Sequence, residues 1–132
     1  MSEPAIAIRR ATERDAPALG RLGAALMRVH HDFDRERFLA PGENPEAGYG
    51  RFLVSQLPND DTVVFVAERD GEIVGYVYAA IEPRSWKELR DVAGFVHDVL
   101  VVESARGTGT GERLVEAAGG PDEFLDRYAV VL

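Results

Sequence analysis

Six residues late in the chain, Arg106-Gly107-Thr108-Gly109-Thr110-Gly111, have the types and spacing to hold an anion. Glycines at every second position let the backbone turn tightly and leave no side chain between its N–H groups and a ligand. Leu114, Val115 and Ala118 follow at helical spacing, so the loop feeds a helix whose first amides and dipole point back at it. Two linked phosphates are the expected ligand of such a helix start. A Walker loop would close on Gly-Lys-Ser/Thr, whereas Gly111 is followed by Glu112-Arg113. A dinucleotide fingerprint opening at Gly107 would need Gly or Ala where Glu112 stands, and would follow the first strand of a parallel sheet. The plain alternative is a glycine-rich turn that only joins strand to helix.

Other residues could do acid–base work. His97 and Asp98 are neighbours on a predicted strand, where alternation puts them on opposite faces, so only one is expected to face a bound acceptor. Histidine changes charge near neutral pH, although a lone strand histidine often has a structural role. His30-His31-Asp32 closes the first predicted helix. Side chains one residue apart on a helix diverge, so no metal site is expected there. Tyr76 and Tyr78 share one face of their strand and are candidates to line a pocket.

The elements that must position these residues follow from periodicity. Ile6 and Ile8 alternate in a short strand, residues 5–10. Thr12 or Asp15 can cap a helix with Pro17 in its first turn. That helix is expected to run to about His30 and to bury Leu19, Leu22, Ala25, Leu26 and Val29. A loop or irregular helix, broken at Pro41-Gly42, follows from His31 to Asn44. A second helix is predicted from Pro45 to Leu57, with Tyr49, Phe52, Leu53 and Leu57 as its apolar positions. Thr62–Ala67 and Ile73–Ile81 flank Arg69-Asp70-Gly71-Glu72, a strong hairpin signal. After a looser stretch, a third long strand spans Ala93–Val102. Gly119-Gly120-Pro121 ends the last helix, and Ala129–Leu132 reads as a stub of strand.

At 132 residues the chain is read as one domain with a single core. No apolar run reaches the length of a membrane span, and Met1-Ser2-Glu3-Pro4 does not read as a secretory signal. The chain contains no cysteine, which removes thiolate chemistry and disulfides, and a cytoplasmic protein is expected. A net charge of −8 repels nucleic acid and anionic membranes, so neither is an expected partner. It suits an amine substrate, although solubility alone also explains it.

At the glycine loop the sequence resembles the GNAT superfamily of acyl-CoA-dependent N-acyltransferases. That family's signature is Arg/Gln-x-x-Gly-x-Gly/Ala, and Arg106, Gly109 and Gly111 match it in place. The flanks also match, with Asp98-Val99-Leu100-Val101-Val102 before the loop and Leu114 after it. The order of strand, two helices, hairpin and signature strand is similar over roughly residues 5 to 118. The resemblance implies a mainly antiparallel α/β sheet flanked by helices, here C-terminally shortened. It implies that amides of Arg106, Gly107, Thr108, Gly109, Thr110 and Gly111 bind the pyrophosphate of acetyl-CoA. Backbone groups at Leu100, Val101 and Val102 would pair with the pantetheine arm, with the acyl carbonyl near Leu100. Asp98 matches the place of an acidic general base, with His97 beside it, and the His30–Glu36 region lies where the family shapes its acceptor pocket. A small amine or a peptide would be the acceptor, attacking directly. The family's C-terminal strands and helix, with a tyrosine that protonates the leaving thiolate, have no counterpart here, and Tyr128 does not match that setting. An exposed edge of this kind attracts pairing, so a homodimer is expected. Two rival readings are a non-catalytic acyl-CoA-binding or interaction module and a phosphate binder unrelated to CoA.

Overall fold

The computed structural model describes residues 5–37, 42–119 and the backbone of 130–131. Five strands form one sheet in the order β1-β2-β3-β4-β5. They are β1 (Ile6–Arg10), β2 (Thr62–Arg69), β3 (Glu72–Glu82), β4 (Ala93–Val101) and β5 (Val130–Val131). The first four pair antiparallel. β5 runs parallel to β4 and pairs only with Gly94 and Phe95. The β2–β3 hairpin turns on Asp70 and Gly71, with φ of 54° and 78°, the left-handed pair that a tight hairpin turn requires.

Helices cover both faces of this sheet. α1 (Ala16–Phe33) and α2 (Pro45–Gln56) lie on one side, where Leu19 and Leu53 pack with Val64, Val66, Tyr76 and Tyr78. α3 (Thr110–Gly119) lies on the other, where Leu114 and Ala118 pack with Val63, Phe65, Val77 and Ala79. Covering both faces explains why β2 is continuously apolar rather than alternating, and Thr62 to Ala67 are all buried.

Among the described residues each predicted strand and helix forms, while residues 38–41, 129 and 132 of the predicted segments lie outside them. α1 runs on to Phe33 rather than ending near His30 and differs in the face it buries. Its buried residues are Leu19, Gly20, Gly23 and Ala24, while Val29, expected in the stripe, is 60% exposed. The reason is close approach of α2. A Cβ on Gly20 would stand 2.1 Å from the Glu46 carbonyl oxygen, and one on Gly23 would stand 2.0 Å from the Tyr49 ring. Small residues, not large ones, set this interface. Asn44 caps α2 by accepting a hydrogen bond from the Ala47 N–H at 3.3 Å. The start of α1 is fixed by charge. Arg9 on β1 donates to both oxygens of Asp15, at 2.8 and 2.9 Å, and to Glu68 at 2.8 Å.

Candidate active site

β4 carries the site because its pairing is interrupted. Tyr78 pairs with Asp98 and Ala79 pairs with Val96, so His97 is a bulged residue with no partner opposite it. The bulge corrects the expectation that His97 and Asp98 lie on opposite faces, because an extra residue resets the alternation. Asp98 accepts hydrogen bonds from the hydroxyls of Tyr49 and Tyr76, both on Oδ2. His97 lies against the Tyr78 ring at 5.3 Å and pairs through Nε2 with Glu82 at 2.9 Å. Tyr76 and Tyr78 share the face that meets α1 and α2. His97 is thus directed along the sheet to Glu82, and Asp98 to the phenols.

Burial, and then the charge of Asp98, push the Tyr49 and Tyr76 phenols well above the usual tyrosine range. Both therefore stay protonated and serve as fixed donors that orient the carboxylate. Tyr49 was expected only as an apolar position of the second helix. It reaches Asp98 because Gly23 has no side chain where its ring lies. In front of Asp98 is a cavity of about 250 Å³, lined by Gly23, Leu26, Met27, His30, Arg37, Tyr49 and Asp98. His30 thus lines the cavity, while Asp32 is exposed and paired with Arg35 at 3.7 Å.

On the other side of β4, no described strand pairs with the backbone beyond β5. The Val102 N–H donates to the Val74 carbonyl at 2.9 Å, and the Leu100 carbonyl lies 2.9 Å from where a Gly75 Cβ would stand. Alternate residues of a ladder face the same neighbour, so Leu100 and Val102 turn their backbones to β3. Val99 and Val101 turn theirs to the far edge. Of the three residues expected to offer free backbone groups, Leu100 and Val102 are thus corrected, and Val99 is added. The Val101 carbonyl accepts from Arg106 Nε at 3.1 Å, which pins the glycine loop to the strand end.

The loop leaves β4 through a 3₁₀ turn, Glu103–Ala105. Gly107 and Gly109 both have φ of 80°, and a Cβ on either would meet nothing within 4 Å. The glycines serve backbone conformation and leave the approach to the amides open. The Thr108 hydroxyl donates to the Ala105 carbonyl at 2.5 Å and lies 2.6 Å from the Thr110 hydroxyl. The Arg113 N–H donates to the Gly109 carbonyl at 3.1 Å, so the amides before it head α3 and face the loop. From there an apolar groove of about 570 Å³ runs between Val96 and Val99 of β4 and Gly111, Glu112, Val115 and Glu116 of α3. Tyr128 lies outside the described residues.

The described residues thus combine a central sheet, a β4 edge that no described strand covers beyond β5, a glycine loop heading a helix at one end and a held carboxylate at mid-strand. The sequence model of the acetyltransferase (GNAT) domain matches residues 60–130, and the chain belongs to that family. It is 31% identical over 113 residues to an uncharacterized N-acetyltransferase, YhfO, of Bacillus subtilis (strain 168). That match covers 84% of this chain and 66% of the relative, so the chain spans just under two thirds of the relative's length. A mutant of the BH1408 protein from Bacillus halodurans has a similar fold, with a TM-score of 0.73 and 22% identity over 96% of this chain and 80% of that one. A predicted acetyltransferase of Clostridium acetobutylicum, solved with acetyl-CoA, matches with a TM-score of 0.60 and 19% identity over 97% of this chain and 80% of that one.

Proposed function

We propose that the protein transfers an acetyl group from acetyl-CoA to a primary amine of a small molecule or peptide by direct attack. One observation carries this reading: the outward-turned backbone of Val99 adjoins Asp98, with the glycine loop at one end and the acceptor cavity on the other side. The loop amides from Gly107 to Gly111 take the pyrophosphate at the start of α3. The apolar groove between β4 and α3 takes the pantetheine arm, and Val99 together with the Val101 N–H pairs with it as a further strand would. The Val99 N–H is the donor for the oxyanion that forms on the thioester carbonyl.

The acceptor enters from the cavity between α1, α2 and β4. Its ammonium gives a proton to Asp98, directly or through one water, and the freed amine attacks. The C–N bond forms as the C–S bond breaks, the attached nitrogen sheds its second proton to solvent, and CoA leaves as a thiolate that takes a proton from solvent. Tyr49 and Tyr76 hold the carboxylate in place throughout, so the chain contributes proximity, orientation and a base. Asp98 is the catalytic residue in this scheme, and His97, paired with Glu82, is not.

Calorimetric titration with acetyl-CoA, followed by turnover of an amine panel, tests the reading. Expected are affinity near micromolar, about −8 kcal/mol, and a turnover that Asp98→Asn lowers roughly 100-fold with acetyl-CoA affinity retained. Binding without turnover of any amine would leave an acyl-CoA-binding module. Absence of binding would remove the cofactor assignment.

A further inference from the structure

The loop from Arg106 to Gly111 carries two hydroxyls, those of Thr108 and Thr110, and neither has a proton left for a phosphate. A threonine hydroxyl has one proton to donate. That of Thr108 goes to the Ala105 carbonyl at 2.5 Å, since a carbonyl only accepts. The 2.6 Å bond between the two hydroxyls is therefore donated by Thr110, and the direction runs from Thr110 through Thr108 to Ala105. Both ends of this chain are buried. Ala105 packs in the core with Leu114 and Ala118, and Thr110, 1% exposed, opens α3. Each bond closes over one of the two glycines with φ of 80°, Gly107 under the first and Gly109 under the second. Glycine loses more freedom on ordering than any other residue, so this is the segment that most needs a tie.

We propose that the Thr110–Thr108–Ala105 chain is a clasp that preforms the loop, and that Thr110 is a positioning residue on which acetyl-CoA affinity depends. That role rests on the loop amides being the pyrophosphate site. Ordering that a site still requires at the moment of binding is subtracted from affinity. With the clasp closed, the amides from Gly107 to Gly111 are already in place. With it open, the ligand has to order two glycines itself. Burial alone does not call for a threonine at the start of α3, because valine has the same shape and would fill the same space. Contact with the ligand does not call for it either, because the Thr110 hydroxyl is spent on Thr108.

Three variants separate the clasp from packing. Thr110→Val keeps the shape and removes the hydroxyl, Thr110→Ser keeps the hydroxyl and removes a buried methyl group, and Thr108→Ala opens the clasp from its exposed residue. In calorimetric titration with acetyl-CoA, affinity is expected to fall roughly five- to tenfold in Thr110→Val and Thr108→Ala. Thr110→Ser should recover most of it. Thermal melts should rank the two Thr110 variants the other way, with the serine variant less stable because a cavity replaces its methyl group. A merely structural threonine would move affinity and stability together. Amide hydrogen exchange of the free protein reads the clasp without a ligand, and the Gly109 to Gly111 amides should exchange about tenfold faster in Thr110→Val. Wild-type affinity or unchanged exchange in Thr110→Val overturns the clasp and leaves the loop as the cofactor site, as does affinity that follows melting temperature across the variants. Failure of the wild-type protein to bind acetyl-CoA would instead remove that site, and the role of Thr110 with it.

Discussion

At the scale of single residues the site is a matter of what holds Asp98. Two phenols donate to one of its oxygens, and neither can ionise near neutral pH because burial and the carboxylate charge oppose it. Gly23 contributes by absence. Gly23→Ala would put a methyl group 2.0 Å from the Tyr49 ring, and an overpacked contact of this kind costs about 1–3 kcal/mol. The expected outcome is a lower melting temperature together with a lower turnover number, since Tyr49 must move off Asp98. Tyr49→Phe, which removes the hydroxyl and keeps the ring, should lower turnover with a smaller loss of stability. Unchanged turnover in both variants would show that Tyr49 does not orient the base. Asp98 and Tyr76 were legible in the sequence as candidates. Tyr49 was not, because at its position on α2 a tyrosine and a core aromatic read alike. The Gly20 and Gly23 spacing on α1 was the available signal that another element approaches closely.

At the scale of elements, β1 and α1 are joined through Arg9, which binds Asp15 with two bonds and Glu68 with a third. Asp15 is 6% exposed, and the bonds from Arg9 hold its carboxyl below the usual carboxylate range, against the opposing effect of burial. A depressed carboxylate stabilises the fold above its unfolded value, about 3.9, and that contribution is lost as the pH falls through the lower folded value. Asp15→Asn should therefore cost about 2 kcal/mol near neutral pH, discounted because Arg9 is partly exposed. The gap between variant and wild type should close in urea melts as the pH drops below about 4. A gap that stays constant with pH would assign the loss to packing instead. The capping residues and proline that start α1 were visible in the sequence. The face it buries was not, because a stripe of leucines and a stripe of glycines satisfy the helical period equally well, and only the partner helix decides which is inside.

At the scale of the whole molecule, β4 divides two tasks. Its α1–α2 side presents Asp98 to the cavity, and its far edge turns Val99 and Val101 towards the groove to α3, with no described strand paired there and the Val101 carbonyl held by Arg106. Among the described residues β5 closes the start of that edge, at Gly94 and Phe95. The chain itself thus fills part of the edge for which a second copy was expected. A ligand that completes the edge and fills the loop should stabilise the native state by mass action. Acetyl-CoA at 100 times its dissociation constant contributes about 2.7 kcal/mol, which predicts a rise in melting temperature of roughly 10 °C. Gly109→Trp should abolish the rise, since its backbone has φ of 80° and a side chain there would cover the amides. A rise that persists in Gly109→Trp would place the ligand elsewhere.

The sequence by itself determined the elements, the hairpin, the glycine loop heading a helix and the family, because these depend on local conformational preference, period and short-range spacing. Tertiary structure decided where the carboxylate points, which backbone groups face outward and which side chains line the cavity. A single bulge at His97 resets the alternation on which a sequence-based face assignment depends, and strand pairing alone decides whether Leu100 or Val99 faces outward. Tyr49 meets Asp98 from a site 49 residues away in the chain, a closeness that exists only once α1 and α2 have packed on the sheet.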